Sequence, residues 1–139
     1  MTMIELLVVI AMITILFAAG VVMSMQSFRS YTRRSERDTI VAILQKARSR
    51  SLSNVQQHKW GACFDGTNYH VFFGSYPSTP MDTIEGNTGA VPSGAAFLCS
   101  NGGIVFDQLT GNTPAVTISI AQGGVTSNIA TNAEGRIDW

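Results

Sequence analysis

Few residues in this chain are placed to do chemistry, and the first of them is an acid beside a long apolar stretch. Glu5 directly precedes residues 6–28, which carry no charged side chain. A carboxylate at membrane depth costs roughly 2.5–3.5 kcal/mol, so it requires a cationic partner or a function. The nearest cation is the α-amino group of Met1, in the same chain or in a neighbouring copy.

The other polar residues form no pattern typical of an enzyme. The sequence has no nucleophile with a base in a recognisable context, no phosphate-binding glycine loop before a helix and no metal-ligand spacing. His58 and His70 are too few and too scattered for a metal site, so we interpret them as structural side chains. We therefore expect neither catalysis nor a cofactor or metal.

Cys63 and Cys99 are separated by thirty-five residues, and two interpretations are open. A disulfide closing such a loop would add about 3–4 kcal/mol of stability. Alternatively, both are buried free thiols, which pack well in apolar cores. Location outside the cytoplasm would favour the disulfide.

These residues are carried by a predicted helix and a β-rich remainder. Twenty apolar residues in a helix rise about 30 Å, the thickness of a bilayer core. The helix is expected to continue into a basic stem and to end at Asn54. This stem, residues 29–59, carries eight Lys and Arg against two acids. A stripe at three- and four-residue steps predicts its packed face: Phe28, Tyr31, Ile40, Ile43, Leu44, Ala47, Ser51 and Val55.

After the helix, short β-prone runs alternate with turn residues. We predict a hairpin over 59–73, a long surface loop over 74–95, a short strand over 96–99, and strands over 103–107, 115–121, 125–131 and 136–139. In the predicted strand over 115–121, the alternation of apolar and polar residues predicts that Val116, Ile118 and Ile120 face one side. The expected core is aromatic: Trp60, Tyr69, Phe72, Phe73, Phe97 and Phe106.

The run Thr2-Met3-Ile4-Glu5-Leu6-Leu7-Val8-Val9-Ile10-Ala11 resembles the mature N terminus of type IV pilins and pseudopilins. That resemblance implies a leader removed by a prepilin peptidase and N-methylation of Met1, where family members usually have Phe. We expect the chain to be already processed. In the second half, Ile104-Val105-Phe106, Gly111, Thr117–Ile120 and Gly135-Arg136-Ile137 resemble the H-type minor pseudopilins and related minor pilins.

The resemblance implies an α+β fold in which a long N-terminal helix, apolar then amphipathic, packs against a small antiparallel β-sheet head. Three regions follow: residues 1–28 as a transmembrane and filament-core helix, 29–55 as its amphipathic continuation, and 56–139 as the head. The filament-core packing residues would be Leu6, Leu7, Val8, Val9, Ile10, Ile13, Leu16 and Phe17.

The implied function is that of a structural subunit of a type IV pilus used for adhesion, twitching motility or DNA uptake. Glu5 would neutralise the Met1 amine of a neighbour. The partners would be other copies of the chain, the prepilin peptidase, an inner-membrane assembly platform, and membrane lipid before assembly. The head would lie outside the cytoplasm, although the basic stem alone would favour the opposite orientation.

Two alternatives remain open. The chain could be a minor pilin or type II secretion pseudopilin that primes assembly, or a single-span protein that never polymerises. DNA binding through Arg136 is disfavoured, because Glu134 and Asp138 give the C-terminal tail a net negative charge.

Overall fold

The N-terminal part of the chain is one long helix. The computed structural model describes residues 2–76, 80–86 and 90–139, without the side chains of residues 19–24, 80 and 81. Helix α1 runs Met3–Leu52, a stretch that contains no proline and a single glycine. The Ser53 N–H donates to the carbonyl of Ser49, and Asn54 then takes the left-handed conformation that often ends helices.

In the described part of the chain eight short strands follow: β1 Trp60–Phe64, β2 Asn68–Phe73, β3 Pro80–Glu85, β4 Val91–Ser93, β5 Ile104–Phe106, β6 Val116–Gln122, β7 Val125–Thr131 and β8 Ile137–Asp138. They form two four-stranded sheets, ordered β3-β2-β1-β5 and β4-β6-β7-β8. Every pairing within these sheets is antiparallel. The predicted hairpin over 59–73 is confirmed as β1 and β2.

Both sheets contribute to one apolar core with the second half of α1. Ile40, Leu44 and Ala47 of the helix are fully buried there. Aromatic residues of the first sheet and isoleucines of the second complete this core: Trp60, Tyr69, Phe106, Ile118, Ile120, Ile129 and Ile137. The α+β class, with a helix packed on small antiparallel sheets, is confirmed.

Several predicted elements were wrong. The head has two sheets where one was expected, and the predicted loop over 74–95 contains β3 and β4. β3 begins with Pro80 and lies at a sheet edge, where proline is tolerated because no ladder hydrogen bond is lost. The predicted strand over 96–99 is instead part of two 3-10 turns, since the N–H groups of Phe97 and Asn101 bond local carbonyls.

The predicted packed face of α1 is right for its second half only. Ile40, Ile43, Leu44, Ala47 and Ser51 are buried, whereas Phe28 and Tyr31 are more than two-thirds exposed. The reason is that buried positions on the helix begin at Thr32, although the turn at Gly123 also lies close to the exposed side chain of Arg29. Val55 is also partly exposed and lies beyond the helix, in the 3-10 turn Val55–Gln57.

Of the helices formed by the described residues, none combines the length and the hydropathy needed to cross a membrane.

Candidate functional site

The start of α1 is closed by a reciprocal cap between Thr2 and Glu5. The Thr2 N–H donates to Glu5 Oε2 at 2.9 Å, and the Glu5 N–H donates to Thr2 Oγ1 at 3.4 Å. This capping box satisfies the Thr2 N–H, and the Glu5 N–H also donates to the Thr2 carbonyl at 3.1 Å. The Glu5 carboxylate is therefore held at the helix N-terminus and remains exposed. Within the described residues no cation lies at ion-pair distance from it, and Met1 lies outside those residues.

The segment that follows Glu5 is apolar on every side and uncovered. Each proposed filament-core residue is about half exposed or more, from 48 % at Val8 to 74 % at Phe17. The set is Leu6, Leu7, Val8, Val9, Ile10, Ile13, Leu16 and Phe17. A helix that is hydrophobic all round is normally buried, and apolar patches beyond a few hundred Å² usually mark interaction sites. The structure therefore leaves this segment without the covering that its composition requires.

The opposite half of α1 is fixed to the head by buried polar contacts. Tyr69 on β2 donates its phenolic hydrogen to the carboxylate of Glu36, and both side chains are buried. Burial and this hydrogen bond raise the pKa of Tyr69 far above its ordinary value. Near the end of the helix, the Ser51 hydroxyl lies 2.8 Å from the carbonyl oxygens of Phe106 and Asp107.

A cationic pair on α1 binds the edge strand β3. Asp82 Oδ2 accepts from Arg50 Nη1 at 2.7 Å and lies 3.1 Å from Lys46 Nζ. The hydrogen bonds from Lys46 and Arg50 lower the pKa of Asp82 despite its partial burial. The Arg50 guanidinium also lies 4.7 Å from the centre of the Trp60 ring, a cation–π distance. These contacts hold the first sheet against the helix.

The two cysteines are joined by a disulfide with an S–S distance of 2.01 Å. Both residues are buried on the face of the first sheet that points away from α1, together with Phe72. The bond fastens the turns around Cys99 to strand β1. The structure thus corresponds to the disulfide alternative and not to two free thiols.

His70 lies in a hydrogen-bonded cluster at the same face. Its Nε2 is 2.8 Å from Asp65 Oδ2, and its Nδ1 is 3.2 Å from Thr83 Oγ1. Burial opposes ionisation of Asp65, but hydrogen bonds from the N–H groups of Asn68 and Thr67 and from His70 outweigh it and lower the pKa of Asp65 to about 2. His58 stacks on Phe73 with ring centres 5.4 Å apart. Each histidine thus has a structural contact.

The remaining predicted site residue is Arg136. Its guanidinium binds Asp138 through Nε and Nη2 at 3.2 and 3.1 Å, on an exposed part of the tail. This local ion pair leaves little net positive charge for a phosphate. In the described parts of the chain, no three His, Cys, Asp or Glu side chains are grouped to hold a metal ion.

Two functional contacts were missed from the sequence. The partnership of Thr2 with Glu5 could have been found, because Thr-x-x-Glu before an apolar run is the capping-box pattern. The burial of Glu36 could not, because its partner Tyr69 is thirty-three residues away in another element.

Comparison with protein-family models gives no match, and comparisons with curated proteins and solved structures give no significant one.

Proposed function

We propose that the chain is a structural subunit of a type IV pilus-like filament and that it polymerises through the first half of α1. The observation that carries the proposal is the exposed segment from Leu6 to Phe17, which carries no charge and directly follows one acid, Glu5. Packing several such helices side by side would remove this surface from water, at about 25 cal/mol per Å² of apolar area. The head, fixed to the second half of the helix, would form the outer layer of the filament.

In this proposal Glu5 sets the position of each subunit along the filament. Its carboxylate would leave the solvent on assembly, and a buried charge without a partner is strongly unfavourable. The amine of Met1 in a neighbouring copy would supply the opposite charge. A head-to-tail contact that repeats without closing produces a filament and not a ring.

The monomer would be held in the cytoplasmic membrane by residues 1–28, with its head outside the cytoplasm, until the assembly platform extracts it. This part of the proposal rests on the resemblance and on the absence of charged residues from 6 to 28 in the sequence, and not on the described helix, which is not apolar enough to cross a membrane. Retention of unassembled protein in the membrane fraction after alkaline washing would support it. Release of the intact chain by that washing would contradict it without bearing on polymerisation.

The Glu5 role is tested with Glu5→Gln and Glu5→Val, with Glu134→Gln as a matched control on the exposed surface of the head. We expect both Glu5 variants to reach wild-type amounts in the membrane but to yield at least tenfold fewer sheared filaments, because the Met1 amine would have no countercharge. The control should assemble normally. Wild-type filament yield from either Glu5 variant would show that Glu5 has no such role.

A second candidate is a minor pilin or a type II secretion pseudopilin that primes assembly. It is favoured by the C-terminal segment Gly135-Arg136-Ile137, which leads into the edge strand β8 and carries the resemblance to the H-type group. The amount of this chain in purified filaments separates the two roles. A principal subunit would dominate the filament mass, whereas a priming subunit would be a trace component.

A further inference from the structure

An exposed face of α1 next to the head carries a cation and an acid one helical turn apart. Arg34 and Asp38 line the same open groove, together with Tyr31, Ser35, Thr39 and Ala42. Both charged side chains are solvent-exposed. The groove lies on the side of the helix that the head leaves uncovered.

Among the described residues, Arg34 has no ion-pair partner and Asp38 has a partner on only one of its two oxygens. Arg34 makes no ion pair with any described residue. Of the residues that the structure describes, only Arg37 binds Asp38: its Nε and Nη2 both donate to Oδ1, at 3.0 and 2.8 Å. Among the described contacts Oδ2 of Asp38 accepts no hydrogen bond, and the side chain is 62 % exposed. A cation four residues before an acid is the less favourable order for pairing within one helix.

The spacing of these two charges repeats that of the N-terminal pair. In the proposed contact between Met1 and Glu5 the cation precedes the acid by four residues, just as Arg34 precedes Asp38. No other Lys or Arg of residues 1–52 is followed four positions later by an acid. A neighbouring helix displaced by four residues, about 6 Å along the axis, would bring its Met1 level with Glu5 and its Arg34 level with Asp38. Along the helix, the Arg34–Asp38 pair lies about nine turns beyond the Met1–Glu5 pair, and the directions of the two pairs differ by about 60° around the helix axis. Both pairs can therefore face the same neighbouring helix.

We propose that Arg34 of one copy binds the free Oδ2 of Asp38 in the adjacent copy. The partner is therefore a second molecule of this chain, and the contact sets the register of neighbouring stems near the heads. The inference rests on the proposed polymerisation, because the displacement is the one that the Met1–Glu5 contact imposes. Arg37 and Arg34 would then share one carboxylate, each on a different oxygen.

Charge reversal and exchange test the contact. We expect Arg34→Glu and Asp38→Arg each to lower the yield of sheared filaments at least tenfold, since like charges would then face each other at every subunit. The double variant Arg34→Glu/Asp38→Arg restores the opposite pairing and should regain at least half of the wild-type yield. Arg136→Glu, which changes an exposed arginine that pairs within its own chain, is the matched control and should assemble normally.

The outcomes separate this inference from the function on which it rests. Wild-type yield from Arg34→Glu, or an exchange variant no better than the single reversals, would overturn the contact while leaving polymerisation intact. A wild-type chain that forms no filament and enters none formed by other subunits would overturn both. A second readout is independent of yield: filaments mixed from Arg34→Cys and Asp38→Cys chains should form disulfide-linked dimers under oxidation. Absence of these dimers from mixed filaments would contradict the inference.

Discussion

Glu36 is a carboxylate placed in the hydrophobic interface between a helix and two sheets. It is 3 % exposed, and Tyr69, which donates a hydrogen bond to it, is fully buried. Removing one partner of a buried hydrogen bond costs about 1–3 kcal/mol, because the other partner stays buried without that hydrogen bond. The contact therefore fixes the helix at one position along the head more strictly than apolar packing alone.

Tyr69→Phe tests this role with almost no change of volume. We expect the free energy of unfolding to fall by about 1–3 kcal/mol, because a buried carboxylate loses a hydrogen-bond donor. Urea unfolding of the detergent-solubilised chain, followed by the fluorescence of buried Trp60, measures the change. Tyr31→Phe is the matched control: that tyrosine is 74 % exposed, and its substitution should change stability by less than about 0.5 kcal/mol. Equal effects of the two substitutions would show that the Glu36 contact contributes nothing specific.

Single residues also show which parts of the candidate site can be predicted from the sequence. The significance of Glu5 followed from its place at the edge of an uncharged stretch. Glu36 has a similar local setting to Asp38, since both lie in a basic stem. Glu36 is buried and Asp38 is exposed because the head covers only one side of the helix. The sequence around Glu36 does not indicate that Tyr69, in a distant strand, will bind it.

At the scale of elements, the disulfide attaches an irregular segment to the first sheet. The turns Ala95–Phe97 and Cys99–Asn101 have few ladder hydrogen bonds, and Leu98 makes a single bridge to Phe64. Just beyond them, Gly103 has a φ of +68°, and a Cβ there would lie 2.6 Å from the Cβ of Cys63. The segment can approach β1 this closely because residue 103 has no side chain.

Replacing both cysteines by serine should lower the free energy of unfolding by about 3–4 kcal/mol, because a loop of this length is no longer closed in the unfolded chain. Urea unfolding of the full chain with and without a thiol reductant measures this loss. The reductant should destabilise the wild type to a similar extent and leave the Cys63→Ser/Cys99→Ser variant unchanged. A loss below about 1 kcal/mol in both cases would contradict a stabilising role of the bond.

Elements in which apolar residues recur at a regular spacing were predicted well, and those held by contacts with distant residues were not. In β6 the alternation of Val116, Ile118 and Ile120 is confirmed, because Ile118 and Ile120 are buried and Val116 packs against the same core. β3 has no comparable apolar alternation. It is held by pairing with β2 and by the bonds of Asp82 to Lys46 and Arg50, and such partners cannot be read from the strand itself.

At the scale of the whole molecule, the two halves of α1 have opposite surroundings. From Thr32 onward one side of the helix is buried by the head, whereas the described side chains before it are nearly all exposed. A fifty-residue helix is about 75 Å long, so the uncovered half projects well beyond the head. Charge is divided along the same axis, because residues 29–59 hold eight of the nine Lys and Arg. Repeating copies could therefore bury their apolar halves together while basic stems meet acids of adjacent copies.

A helical reconstruction of purified filaments by electron cryomicroscopy tests the proposed assembly most directly. We predict apolar helices bundled along the filament axis, with the Glu5 carboxylate within about 4 Å of the Met1 amine of a neighbouring subunit. Filaments joined only through their heads, or a Glu5 that faces solvent with no cation beside it, would contradict the proposed assembly.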